Sequence, residues 1–326
     1  MSRNLFFLVS FLFSLYFVVF SIIVIRVPVP LELIGIILAL FSLYLGGDSF
    51  LDNAREFGNR HKISPKSIGA YLLSLGAVID EFSVIFVASF HRYGEISFGT
   101  LQGSNIITMM VFLAVLPLVF AGSYRKFMRD GIILLIASAL LEVLSLFFEV
   151  VPWYIGIFMA LLFLVYIYTG RGEAPPIEEE YVHMEYSPVS MLVALIILGL
   201  ASEAIVNYTN GISIDFNVSP FISGFIVTGV AGSLPEIIMF YLGIKKQERD
   251  ITLGIVAGST MYKATLIMGI TMLFGIVNLR AGEWSIYLMI LLSVIFLIFT
   301  LIKMKKAMMA IPVVATVIFA MVYLFF

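Results

Sequence analysis

Two stretches of this sequence decide its architecture: residues 63–81 read ISPKSIGAYLLSLGAVIDE, and residues 218–236 read VSPFISGFIVTGVAGSLPE. Laid over each other without a gap, they share a serine, a proline and a glycine and end on Glu81 and Glu236. At the same offset, FGTLQGSNIIT (98–108) lies over LGIVAGSTMYK (253–263). Polar and glycine residues are rare in such apolar segments and seldom match at one constant offset by chance, so the pattern indicates an internal repeat.

The composition around the repeat is that of a membrane protein. Of the 326 residues, 61% are hydrophobic and only 12% are charged, and the mean hydropathy is +1.09. Long apolar runs recur from end to end and predict an all-α polytopic membrane protein with about eleven transmembrane helices. A net charge of −2 does not favour nucleic acid, so we expect the lipid bilayer and inorganic cations as partners. The oligomeric state stays open.

The predicted spans give the domain organisation. They are about 4–26, 31–54, 66–90, 96–121, 130–149, 152–170, 188–207, 219–243, 250–277, 283–302 and 307–326. The second copy of the repeat begins an odd number of spans after the first and is therefore inverted, as in many transporters. We expect an extra N-terminal transmembrane helix in 1–30, a first repeat half in 31–170, a cytosolic linker in 171–187 and a second repeat half in 188–326.

The basic residues predict the orientation in the membrane. Most of the 19 lysines and arginines fall on the face shared by the N-terminus and alternate loops, whereas Arg26, Arg92 and Arg280 fall on the other. The positive-inside rule then places the N-terminus in the cytosol and the C-terminus outside the cell membrane. Lys263 is the basic residue that this topology leaves inside the bilayer.

Four charged residues fall near the centres of predicted spans: Asp80, Glu81, Glu236 and Lys263. Each would cost at least ~2.5–3.5 kcal/mol if it faced lipid, so we expect burial against one another or around a cation. Carboxylate, hydroxyl and carbonyl oxygens are the ligands that Ca²⁺ and Na⁺ use. The sequence therefore predicts a cation site with Glu81 and Glu236 as its metal ligands.

Helical spacing adds further candidates to this site. Ser104 shares a helix face with Thr108, and Ser259 shares one with Lys263, because each pair is four residues apart. Pro235 lacks an N–H, so we expect the helix to break there and free backbone carbonyls. The predicted cation-binding side chains are Glu81, Glu236, Ser104, Ser259, Ser233, Thr108 and Asp80, with Lys263 as a base that tunes the site. The backbone carbonyl candidates are Ser74, Ala77, Gly229 and Gly232.

The paired motifs GAVIDE (76–81) and AGSLPE (231–236), each followed by Gly-Ser at the same distance, resemble the two α-repeats of the cation/Ca²⁺ exchanger superfamily. The stretch YLGGDSFLDNAREF (44–57) is similar to the segment that precedes the first repeat. The resemblance implies a ten-helix antiporter without a cofactor, in which two tilted helices slide past an eight-helix core. The moving helices would correspond to the spans at 31–54 and 188–207.

This sequence departs from the family motif, which is close to GTSLPE in both repeats. Asp80 stands in place of the first proline, and Gly232 replaces a threonine. Lys263 occupies a position that is commonly acidic in prokaryotic relatives. We therefore expect Lys263 to pair with Asp80 or a site glutamate and to take the place of one bound cation.

Three functions remain open at this point. The first is exchange of Ca²⁺, or a similar cation, for Na⁺ or H⁺ by alternating access. The second is a monovalent cation/proton antiporter that uses Lys263. The third is a non-transporting membrane cation sensor with a degenerate site. An enzyme is not expected, because the sequence contains no plausible nucleophile–base set.

Overall fold

A computed structural model describes residues 12, 15, 16, 18, 19, 28–60, 78–119, 127–169, 187–245, 256–302 and 305–325. Ten helices are numbered here. They are α1 Val29–Arg60, α2 Ile79–Phe90, α3 Gly94–Val119, α4 Met128–Phe147, α5 Ile155–Thr169, α6 Pro188–Asp215, α7 Pro220–Lys245, α8 256–274, α9 Glu283–Leu301 and α10 Ala310–Phe325. Two of them contain a π-helical segment, Gly224–Gly229 in α7 and Tyr262–Ile267 in α8.

The described residues form an all-helical membrane protein, as predicted. Seven stretches within them are long and apolar enough to cross a membrane, and α5 is a shorter apolar helix. Their only β-structure is an isolated bridge between Val150 and Asn278. Most of the predicted N-terminal helix (1–30), the start of the third span and almost all of the linker (171–187) lie outside the described residues.

The helices repeat at the offset that separates Glu81 from Glu236. At that offset α4 coincides with α9 and α5 with α10, while α1 coincides with α6. α1 and α6 pack side by side and run antiparallel, because Gly35 faces Tyr208 whereas Gly46 faces Ile197. The two repeats are therefore inverted relative to each other, which is the arrangement the sequence predicts.

α6 is longer than predicted, and its greater length changes the position of Glu203 within the helix. The Ser187 hydroxyl accepts a hydrogen bond from the N–H of Ser190 and caps the start of the helix. The helix then continues past the expected end at 207 to Asp215, shortly before Asn217 adopts a φ of 51°. Glu203 consequently lies near the middle of α6, and the expected end of the span at 207 was wrong.

The expected helix break at Pro235 was also wrong. α7 continues as an α-helix from Val230 through Pro235 to Lys245. A proline removes one N–H from a helix, and surrounding helices in a membrane protein make that loss tolerable. The irregular geometry lies earlier in the helix, in the π-helical segment Gly224–Gly229.

α3 and α7 cross with their backbones in direct contact. A Cβ atom on Gly99 would overlap the carbonyl oxygen of Phe221, and one on Gly103 would overlap that of Phe225. On the other side, Gly229 lies against the backbone of Gly103. Small residues permit this close approach between membrane helices, and it brings the polar face of α3 next to the second repeat.

Adding a methyl group at this crossing is expected to destabilise the protein. Gly99→Ala and Gly103→Ala should each lower the free energy of unfolding by about 1–3 kcal/mol, because the backbones must separate. Gly199→Ala on α6 is the matched control, since nothing lies within 4 Å of its added Cβ. Thermal unfolding in detergent would contradict the crossing if all three variants matched the wild type.

Within the part of the chain that the structure describes, the apolar core has two parts. A smaller cluster joins α1 and α6 to parts of α2 and α3, for example through Leu43, Val84 and Leu198. A larger cluster joins the helices α2 to α5 with α7, α8 and α9, for example through Phe112, Met159 and Phe296. The α1–α6 pair is thus packed as a unit against the remaining helices.

Candidate cation-binding site

Glu81 lies in the first turn of α2, with 2% of its surface exposed. Its Oε1 accepts a hydrogen bond of 2.5 Å from the hydroxyl of Ser104 on α3. Gly232 of α7 lies beside the same carboxylate, where an added Cβ would come within 3.0 Å of Oε1. The missing side chain at Gly232 therefore leaves room for Glu81.

Glu236 approaches the same point from the second repeat. It lies on α7 and is also 2% exposed. Its Oε2 accepts a hydrogen bond of 2.6 Å from the hydroxyl of Thr108, which lies one turn after Ser104 on α3. Both predicted glutamates are therefore bound to α3, and each accepts a hydrogen bond from a hydroxyl of the first repeat.

The ammonium group of Lys263 lies between the two glutamates. Its Nζ is 2.6 Å from Oε2 of Glu236 and 3.3 Å from Oε2 of Glu81. It also donates a 2.8 Å hydrogen bond to the Ser104 hydroxyl, and the lysine is fully buried. Lys263 comes from the π-helical segment Tyr262–Ile267 of α8. The expected pairing of the lysine with a site glutamate is therefore present.

The carboxylates keep oxygen atoms without a hydrogen-bond partner. Oε1 of Glu236 and Oε2 of Glu81 are buried and accept no hydrogen bond among the described residues, although the latter faces Lys263. Asp80 adds a third carboxylate at the start of α2, where its Oδ1 accepts the N–H of Glu81 at 2.9 Å. One ammonium thus faces two carboxyl groups, and a third lies adjacent, so acidic side chains outnumber basic side chains at this point.

Not every predicted ligand joins this cluster. The Ser259 hydroxyl donates to the carbonyl of Val256, and the Ser233 hydroxyl donates to the carbonyl of Val230. Both serines are buried, but they satisfy their own helices. Gly229 packs against Gly103 at the helix crossing. The carbonyl candidates Ser74 and Ala77 lie outside the described residues.

Two polar contacts were missed at the sequence level. Thr100 shares a hydrogen bond with Thr228 of the π-helical segment in α7. The spacing of Thr100, Ser104 and Thr108 by four residues, which places three hydroxyls on one face of α3, could have revealed it. The second contact joins Nε2 of His91 to Oε2 of Glu203 at 2.8 Å and ties α6 to the turn after α2. No sequence signal pointed to that pair.

Among the described residues, no cluster of three or more His, Cys, Asp or Glu side chains is arranged to hold a metal ion. Any cation bound between Glu81 and Glu236 would therefore also need hydroxyl or carbonyl oxygens, which hard cations accept as ligands. Ser104 and Thr108 already face this point. The site is built from oxygen donors plus one amine.

Fold and site together define a class: polytopic helical membrane proteins in which two inverted repeats enclose a buried charged site. Within that class, the family model described as sodium/calcium exchanger protein matches residues 31–170 and 186–326. The chain belongs to the sodium/calcium exchanger protein family. The match extends over both repeat halves, including all the described residues of the charged cluster.

Relatives of known sequence or structure agree with this membership. The chain is 25% identical over 284 residues to the inner membrane protein YrbG of Escherichia coli, covering 82% of this chain and 86% of YrbG. It is 25% identical over 287 residues to the putative antiporter CaxA of Alkalimonas amylolytica, covering 82% and 88% of the two chains.

Solved structures share the fold. The sodium–calcium exchanger NCX_Mj soaked with Na⁺ and Sr²⁺ superposes with a TM-score of 0.59 at 21% identity, over 89% of this chain and 98% of that one. The H⁺/Ca²⁺ exchanger CAX superposes with a TM-score of 0.65 at 14% identity, over 98% and 94%. At these identities the likeness concerns the fold.

Proposed function

We propose that this protein is a secondary antiporter that exchanges Ca²⁺, or a similar cation, for Na⁺ or H⁺ by alternating access. The observation that carries the proposal is the meeting of Glu81 and Glu236, one from each inverted repeat, at a fully buried point. Buried carboxylates in a membrane protein mark ion pathways. The relatives named as an antiporter and as cation exchangers agree with this role.

Specific residues would carry the cation. Glu81 and Glu236 would supply charge, and Ser104 and Thr108 would add hydroxyl oxygens, since both already contact the carboxylates. Asp80, Ser233, Ser259 and the carbonyls of Ser74, Ala77, Gly229 and Gly232 are secondary candidates. The two serines would have to turn from their present carbonyl partners before they could bind a cation.

The α1–α6 pair would provide the change of access. It packs against α2 and α3 through the smaller apolar cluster, which is separate from the larger core of the remaining helices. The contact between His91 and Glu203 joins this pair to the turn after α2. Sliding of the pair would break and remake such contacts while the central site stays in place, as in other inverted-repeat transporters.

The proposal includes an orientation and a domain organisation. The protein would lie in the cell membrane with its N-terminus in the cytosol and its C-terminus outside, as the positive-inside rule indicates. Residues 31–170 and 188–326 would form the two transport halves. Residues 1–30 would add a transmembrane helix, and 171–187 would link the halves in the cytosol.

One observation favours a second candidate, a monovalent cation/proton antiporter. The Lys263 ammonium already lies where the carboxylates would hold a cation. If that ammonium lost its proton when a cation bound, cation movement would be linked to proton movement. A non-transporting cation sensor with a degenerate site would instead bind cations without moving them.

Purified protein in proteoliposomes would distinguish these functions. We expect radiolabelled Ca²⁺ to accumulate above its equilibrium level when an outward Na⁺ or H⁺ gradient is imposed, and to leave when an ionophore dissipates that gradient. Accumulation of radiolabelled Rb⁺ or Na⁺ driven only by a pH gradient would support the second candidate. Cation binding without any flux would contradict both antiporters and favour the sensor.

A further inference from the structure

The Lys263 amine is the charge that an exchanged cation would otherwise supply. It lies within 3.3 Å of both site glutamates, it bonds Ser104, and it has no exposed surface. Glu81 and Glu236 are buried as well, whereas Asp80 is half-buried. The described conformation is therefore an occluded site whose positive charge belongs to the protein itself.

A positive charge supplied by the protein is important because the site of an ordinary exchanger must not close without a bound ion. Two buried carboxylates without a counter-charge are strongly destabilised, so closure requires a bound cation or protonation of the carboxylates. That requirement is what forces one cation to be exchanged for another. Here the requirement is met by Lys263, because its Nζ pairs with Glu81 and Glu236 in the closed site.

We propose that the ion-free form of this protein closes and reorients with Lys263 as its own counter-charge. The protein would then have a second transport mode, in which a cation crosses the membrane without a counter-cation in return. This mode rests on the proposed antiport function and adds to it. Exchange and the ion-free return would share the same two glutamates.

Cation binding then requires the ammonium to move aside. The transported cation and Nζ seek the same carboxylate oxygens, so one must displace the other. Asp80 lies next to Glu81 in the chain, and its Oδ1 accepts the N–H of Glu81. Lys263 is carried by a π-helical segment, and such segments occur often at functional sites where a helix changes register. In this mode Asp80 would receive the ammonium while a cation is bound and would not itself be a ligand of that cation.

The test compares Ca²⁺ efflux into two media. Proteoliposomes loaded with radiolabelled Ca²⁺ are diluted either into Na⁺ medium or into N-methyl-D-glucamine medium with a Ca²⁺ chelator. Internal and external pH are equal at the start, a lipophilic anion dissipates the membrane potential, and a trapped dye reports internal pH. We expect efflux without a counter-cation at no less than about a tenth of the exchange rate, with no matching change in internal pH.

Two variants assign this mode to the lysine. Lys263→Arg keeps the charge and should keep the ratio of ion-free efflux to exchange. Lys263→Ala should lower that ratio by at least about tenfold, since its empty site has no counter-charge. If Lys263→Ala transports nothing, the wild-type ratio and the arginine variant still decide whether the mode exists.

The outcomes separate the two proposals. Wild-type efflux that requires Na⁺ or H⁺ on the opposite side would overturn the ion-free return while leaving antiport intact. A fall in internal pH that matches Ca²⁺ efflux would also overturn it, because protons would then be the counter-ion. No Ca²⁺ movement in any medium would overturn the proposed Ca²⁺ antiport and, with it, this inference.

Discussion

Glu236→Gln is expected to lower cation transport in proteoliposomes by at least about 100-fold, the largest loss among the substitutions considered. Oε2 of Glu236 forms the shorter of the two Lys263 ion pairs, at 2.6 Å, and it accepts a hydrogen bond from the Thr108 hydroxyl. A 100-fold loss corresponds to about 2.8 kcal/mol, since each 1.4 kcal/mol is a factor of ten. The amide would also deprive a bound cation of one carboxylate.

Glu149→Gln is the matched control, because Glu149 is an exposed glutamate in the connection after α4. It should transport at the wild-type rate. Both variants would be checked by size-exclusion chromatography and thermal unfolding before reconstitution, so that a folding defect is separated from a transport defect. Normal transport by Glu236→Gln would show that the cation binds elsewhere.

Lys263→Ala is expected to make the protein depend on cations for its stability. Without cations, the variant should lose about 3–5 kcal/mol of unfolding free energy, because Glu81 and Glu236 lose their buried counter-charge. Ca²⁺ at a hundred times its dissociation constant should restore about 2.7 kcal/mol by binding the folded state. The wild type should gain less at the same Ca²⁺ concentration, since the cation must first displace the amine.

Thermal unfolding in detergent, with chelator and with a series of Ca²⁺ and Na⁺ concentrations, measures both effects. Lys245→Ala serves as the control, since Lys245 is exposed in the last turn of α7. It should match the wild type under every condition. Equal stability of Lys263→Ala and wild type in chelator would mean that the ammonium contributes nothing to holding the carboxylates.

Much of the fold follows from features that are local in sequence. Apolar runs of sufficient length predict membrane helices, and the offset that relates Glu81 to Glu236 predicts the pairing of α1 with α6 and of α4 with α9. Helix ends and irregular helical turns were harder to predict from the sequence. Two examples are the extension of α6 to Asp215 and the π-helical segments in α7 and α8. These features depend on packing against neighbouring helices, which cannot be read from the sequence of one helix alone.

The candidate site likewise has residues that the sequence predicts and side-chain orientations that it does not. Glu81, Glu236 and Lys263 could be recognised because a buried charge is rare and costly wherever it occurs. Whether a hydroxyl faces the site or its own helix is a matter of side-chain rotation. Thr108 turns toward Glu236, whereas Ser259 bonds the carbonyl of Val256, although both occupy buried helical positions. Serine and threonine always have that local alternative, so spacing alone could not separate them.

The direct backbone contact between α3 and α7 bears on how the two halves could have changed over time. Gly99 and Gly103 have no side chains to repack, so neither half could drift at this contact without a matching change in the other. The polar residues beside it are mutually dependent too, since Thr108 bonds Glu236 and Lys263 bonds Ser104. A change at position 263 would therefore alter the surroundings of both repeat copies at once. Selection would have acted on the two halves as a single inherited unit.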